Sequence, residues 1–66
     1  MTSDAFRAAL DRLGLTQAGA ARLLGVNDRT ARKWACGETP VPETVRRLLL
    51  ACESFPSLLR ILRDAA

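Results

Sequence analysis

Three glycines decide how this chain can fold. Gly14, Gly25 and Gly37 each follow a short stretch with the apolar spacing of a helix. A glycine just past a helical run supplies the left-handed residue that ends it. Placed where they are, they cut the first half of the chain into helices of about eight to ten residues. Isolated helices shorter than about 12–15 residues are marginal in water, so stability must come from packing their apolar faces together. No sustained alternation of β-branched and polar residues appears, so no strand is expected. The predicted fold class is all-α, a compact bundle of four to five short helices in a single domain spanning residues 1–66.

The first helix is predicted over about Asp4–Leu13, with Ser3 as N-cap and Phe6, Leu10 and Leu13 as one apolar stripe. Arg7, Asp11 and Arg12 take its other side, with Asp11 four residues on from Arg7. The second runs over about Gln17–Leu24, capped by Thr16, with Ala20, Ala21, Leu23 and Leu24 inward. Gly19 inside it costs about 1 kcal/mol against alanine, and nothing in the sequence explains it. The third begins after Asn27, a strong N-cap, and reaches Ala35 or Cys36. Ala31, Trp34 and Ala35 share its apolar face; Arg29, Thr30, Arg32 and Lys33 share the other. Pro42 fits the first position of a fourth helix, where its missing N–H costs nothing, and Glu43 suits the positive end of that helix. Val45, Leu48, Leu49 and Cys52 form its stripe. Phe55-Pro56 ends it, and Pro56 opens a fifth helix over about 56–64.

A 66-residue chain buries only about 60% of the surface it exposes when unfolded, so its core is marginal. Chains of this size usually carry a staple: disulfides, a metal or a partner. Cys36 and Cys52 cannot form a disulfide framework, and they match no zinc spacing in a chain without histidine. No metal or cofactor is expected. The remaining staple is a second copy of the chain. With no histidine or tyrosine, the commonest general acid–base groups are missing, and Ser3, Ser54 and Ser57 have no imidazole to activate them. No catalytic residue is assigned and an enzyme is not expected. A hydrophobic fraction of 48% argues against disorder. No apolar run approaches the ~20 residues needed to span a bilayer, and Met1–Asp4 shows no leader pattern. The expected location is cytoplasmic.

The net charge of +3 is concentrated. Residues 16–47 carry six basic side chains against three acidic ones, and the flanks balance at four against four. That is the footprint of a polyanion-binding face. On charge alone, a solvated surface with a chance imbalance is the stronger reading.

Spacing adds what charge lacks. The second and third helices, joined by Gly25-Val26-Asn27, make a helix-turn-helix over about residues 16–37. So tight a turn forces a steep crossing, for which Ala21 and Gly25 are small enough, and Trp34 fixes the angle of the third helix as a core residue. The outward side chains of that helix can reach base edges in a major groove ~12 Å wide. The run Gln17-x3-Ala21-x3-Gly25-Val26, followed by Ala31-x2-Trp34-x2-Gly37, resembles the lambda-repressor-like (Cro/repressor, XRE-type) helix-turn-helix DNA-binding family. Leu13-Gly14-Leu15-Thr16-Gln17 and the closing Val41-Pro42 are similar too, so the resemblance covers about residues 5–52. The short form, with Arg-Thr-Ala-Arg-x-Trp and a Pro-Val-Pro loop, is similar to small phage and mobile-element regulators, anti-CRISPR-associated repressors among them.

The resemblance implies that Gln17 holds a DNA phosphate and that Asp28, Arg29, Arg32 and Lys33 read bases or neighbouring phosphates. Thr16, Asn27, Thr30 and Arg46 complete the candidate DNA-binding set. Arg46 and Arg47 are balanced between phosphate contact and plain solvation. Two departures stand out. Asp28 occupies a position where many relatives carry Gln or Ser, and it suits the helix N-terminus better than phosphate. Ala31 is small where larger apolar residues are usual, and Trp34 is expected to fill the space. Leu50, Phe55, Leu58, Leu59, Ile61 and Leu62 are more apolar surface than so small a core needs. They are expected at a two-fold interface rather than packed inside. The function these readings imply is a homodimeric, sequence-specific regulator of transcription. It would act as a repressor on an inverted-repeat operator in double-stranded DNA, with the third helix in the major groove. The alternative is a protein–protein interaction module, antitoxin-like or adaptor, with DNA binding secondary or absent.

Overall fold

The computed structural model describes residues 1–65 and contains five α-helices and, among the described residues, no strand. They are α1 (Ser3–Leu13), α2 (Gln17–Leu24), α3 (Asp28–Cys36), α4 (Glu43–Ser54) and α5 (Ser57–Ala65). The all-α bundle read from the sequence is the fold.

The glycine punctuation works as hydrogen bonding. Gly25 is left-handed (φ 73°) and its N–H donates to the Arg22 carbonyl, while Val26 N–H donates to the Ala21 carbonyl at 2.9 Å. Two orphan carbonyls of α2 are thus satisfied within the turn, and a side chain at position 25 would be strained there by backbone alone. Gly14 and Gly37 close α1 and α3 with the same pair of bonds. Leu15 and Val26, each the residue after such a glycine, pack against the core.

The core is built from Phe6, Ala9 and Leu10 of α1, Ala20 of α2, Trp34 and Ala35 of α3, Val41 of the connecting loop, and Val45 and Leu49 of α4. Trp34 meets Phe6 edge to face, with ring centroids 5.9 Å apart at 83°, a favoured aromatic arrangement. Ala20, Ala21 and Ala31 are fully buried. These small side chains let α2 and α3 approach closely, and they are why a helix-turn-helix this tight can form. Trp34 is buried, as the sequence predicts. Cys52 is buried in the α4 stripe, and burial pushes its thiol pKa up, away from reactivity.

Several local features differ from the sequence reading. The N-cap of α1 is Thr2, whose hydroxyl accepts from Ala5 N–H at 3.0 Å, and Ser3 is the first helical residue. Pro42 is the N-cap of α4 rather than its first position: its ψ of 148° is extended, and Glu43 opens the helix. Pro56 lies in the turn before α5, which begins at Ser57 and extends to Ala65. Arg7 pairs with Asp4 rather than Asp11, and also donates to the carbonyl of Ala35, a late α3 group with no helical N–H to accept from. Leu24 and Leu48 are half-buried.

Gly19 has a structural reason. A Cβ there would stand 3.1 Å from the Thr16 hydroxyl oxygen, which accepts from Gly19 N–H at 2.9 Å. The glycine leaves space for the cap that starts the motif.

Candidate nucleic-acid interface

Packing fixes which side of α3 faces out. Ala31, Trp34 and Ala35 are buried, and at 100° per residue the opposite side carries Arg29 and Lys33, with Arg32 and Thr30 on its flanks. Arg29 and Arg32 are exposed; Thr30 and Lys33 are half-buried. Asn27 caps α3 through its side-chain oxygen, which accepts from Arg29 N–H at 2.8 Å. Its amide N–H groups stay available to an acceptor. Thr16 is in the same position at the start of α2: the hydroxyl accepts from Gly19 N–H and its proton remains free to donate. Gln17 and Asp28, the first residues of α2 and α3, are both exposed. Asp28 forms no ion pair among the described residues and sits in the positive first turn of its helix.

The ion pairs sort the charges. Arg7 is held by Asp4, Arg12 by Glu53 at 2.6 Å, and Arg46 and Arg47 by Glu43. Arg22, Arg29, Arg32 and Lys33, all on α2 and α3, have no carboxylate partner among the described residues. Residues 16–37 hold these four cations against Asp28 alone, while the remainder balances at six against six. The whole net charge of the chain therefore lies on the two motif helices. Exposed pairs such as Arg7–Asp4 contribute little stability, and Arg60 and Arg63 of α5 also have no carboxylate partner among the described residues, so the excess on the motif rests on its charge count.

The structure places Arg46 on the first turn of α4, bound to Glu43. Val45 and Val41 near it belong to the core cluster that also holds Trp34 and Ala35, and α4 as a whole packs chiefly on α1. Arg22 contributes to the charge excess but is not among the site residues the sequence points to. It lines a shallow groove with Thr16, Gly19 and Arg63 of α5. Only its charge could have flagged it, because the groove depends on α5 packing over α2.

The six candidate interface residues lie on α4, α5 and the turn between them. No residue of α5 is buried. Phe55 is 66% exposed, Ile61 59% and Leu50 44%, with Leu58, Leu59 and Leu62 half-buried. Among the described residues, no group of side chains has the makings of a metal site, and no helix is long and apolar enough to cross a membrane. Comparison with protein-family models finds no match, and comparisons with curated proteins and with solved structures find no significant one.

Proposed function

We propose that this chain is a sequence-specific DNA-binding regulator of the lambda-repressor-like kind, acting as a homodimeric repressor on an inverted repeat. The observation that carries the reading is the outward face of α3. Arg29 and Arg32 are exposed and, among the described residues, free of carboxylate partners, on a helix whose opposite side is locked by Ala31, Trp34 and Ala35. A rigid helix presenting unpaired guanidiniums matches bidentate recognition of guanine in the major groove. The cations Arg22 and Lys33, with the hydroxyl of Thr16 and the amide of Gln17, are suited to phosphates, which position the helix without reading sequence. Lambda-repressor-like motif spacing supports the same reading.

The second copy of the chain is supported by α5. Ile61 of α5 is exposed within one chain, Leu58, Leu59 and Leu62 are only half-buried, and Phe55 and Leu50 add exposed apolar surface from the end of α4. Patches of this kind mark association surfaces, and a marginal core gains most from one. Pairing two such chains brings two recognition helices to two half-sites.

Fluorescence anisotropy with labelled duplex DNA over a range of salt tests the proposal. Binding should weaken steeply with salt, since phosphate neutralisation releases counterions. Arg29→Ala and Arg32→Ala should each weaken binding to a preferred site by about 1–3 kcal/mol and relax preference at one base position per half-site. Folded variants that bind like the wild type would remove those residues from the interface. Absence of salt-dependent binding to any duplex would favour the interaction-module reading.

A further inference from the structure

Glu43 is the most heavily engaged carboxylate among the described residues. One of its oxygens accepts from Arg46 Nε at 2.9 Å; the other accepts from Arg46 Nη2 and from Arg47 Nε, the latter at 3.3 Å. Residues 43, 46 and 47 lie on one face of α4 because side chains three and four apart are neighbours on a helix. Three donors on one carboxylate hold its pKa down to about 2, chiefly through the Arg46 hydrogen bonds, so it stays charged at neutral and mildly acidic pH. All three side chains are open to solvent, and a carboxylate at the first position of α4 is not required by packing. The fork offered to Glu43 has the geometry that guanidinium offers to phosphate. The cluster sits at the start of α4, where Val41 and Val45 join the core that also holds Trp34 and Ala35.

We infer that Glu43 is a built-in competitor of DNA phosphate for Arg46 and Arg47, and that it lowers and tunes the affinity of the interface. This rests on the DNA-binding reading above. The carboxylate neutralises one of the two cations at the start of α4 and occupies the donors a phosphate would use. A nucleic-acid backbone must displace it or do without those contacts. The consequence is weaker, more easily reversed binding to any sequence, which leaves a larger share of discrimination to Arg29 and Arg32. Ion exchange of this sort breaks no covalent bond and moves no proton.

The test is a thermodynamic cycle by anisotropy on the intact chain with one defined duplex, in which Glu43→Gln is made in the wild type and in Arg46→Ala/Arg47→Ala. Asp64→Asn serves as a control that removes the same formal charge from α5. Glu43→Gln should bind about three- to tenfold more tightly at physiological salt, with a log–log salt slope steeper by about one to two, the yield of one or two freed phosphate contacts. The gain should vanish in the Arg46→Ala/Arg47→Ala background, and Asp64→Asn should give little of it. Helical circular dichroism checks that each variant is folded; position 43 is exposed and glutamine is a good helix former. If the wild type binds DNA and Glu43→Gln binds with the same affinity and slope, the competitor role is wrong and the DNA-binding reading stands. A gain that survives loss of both arginines would overturn the competitor role in the same way. If the wild type binds no duplex, both fall together.

Discussion

Trp34→Ala should be unfolded at temperatures where the wild type is fully helical. Trp34 is 6% exposed and stands edge to face with Phe6, which is completely buried. It ties α3 to α1 and, through Val41 and Val45, to the start of α4. Truncating a buried tryptophan costs about 3–5 kcal/mol through lost transfer energy and the cavity left behind. A domain of this length has a total stability near the low end of the usual range of about 5–15 kcal/mol, so one substitution removes most of it. The alanines and short valines of the same cluster cannot reach in to fill the space. Thermal circular dichroism measures the effect. A melting temperature within a few degrees of wild type would mean that Trp34 does not hold the three helices together.

Ile61→Glu should give a folded chain that no longer dimerises. Ile61 is 59% exposed within one chain, so a carboxylate there costs the isolated bundle little. Across a two-fold axis the same change places two unpaired carboxylates in an apolar interface, and burying an uncompensated charge costs several kcal/mol. The dimer dissociation constant should rise by at least about a hundredfold, the equivalent of about 3 kcal/mol. Phe55→Glu, at a position 66% exposed, should behave alike. Leu58, Leu59 and Leu62 are poorer probes because they are half-buried and a charge there also disturbs the packing of α5 on α4. Light scattering at micromolar concentration separates the outcomes. A wild type that runs as a monomer there, and still grips a single half-site tightly, would contradict the pairing.

Much of the fold is legible in the sequence because it is local. A glycine after a helical stripe, an asparagine before one, and apolar residues at i, i+3, i+4 act within a turn or two of the chain, and α2, the turn and α3 follow from them. What escapes depends on choices the sequence leaves nearly degenerate, or on contacts far along the chain. Thr2 and Ser3 are adjacent hydroxyl residues, and the cap goes to the one whose backbone is extended. Pro42 suits either an N-cap or a first helical position, since both accept its fixed φ. Arg7 finds a carbonyl acceptor 28 residues away at Ala35, which no periodicity announces. Gly19 makes sense only once the Thr16 hydroxyl is placed over it. The position of Glu43 at a helix start hides its second role. Its grip on two arginines follows from i+3 and i+4 spacing, and so is within reach of the sequence.

The outward face of α3 is legible for the same local reason, but its meaning is not. Charge counting gives an excess over residues 16–47, and because residues 38–47 balance at two against two, with Arg46 and Arg47 paired to Glu43, the excess lies within 16–37. Among the described ion pairs only Arg12 with Glu53 joins residues far apart in the chain; the others are local, and together they leave Arg22, Arg29, Arg32 and Lys33 as the unpaired cations of the motif.

Selection of binding sites from a pool of random duplex DNA by the intact chain tests the reading of that surface most directly. Repeated rounds should enrich an inverted repeat whose half-site centres lie about one helical turn, roughly 34–36 Å, apart. Inserting about five base pairs between the half-sites should abolish tight binding and leave only the weak, salt-sensitive kind. A pool that stays random through successive rounds, while the protein remains folded, would contradict sequence-specific recognition by α3.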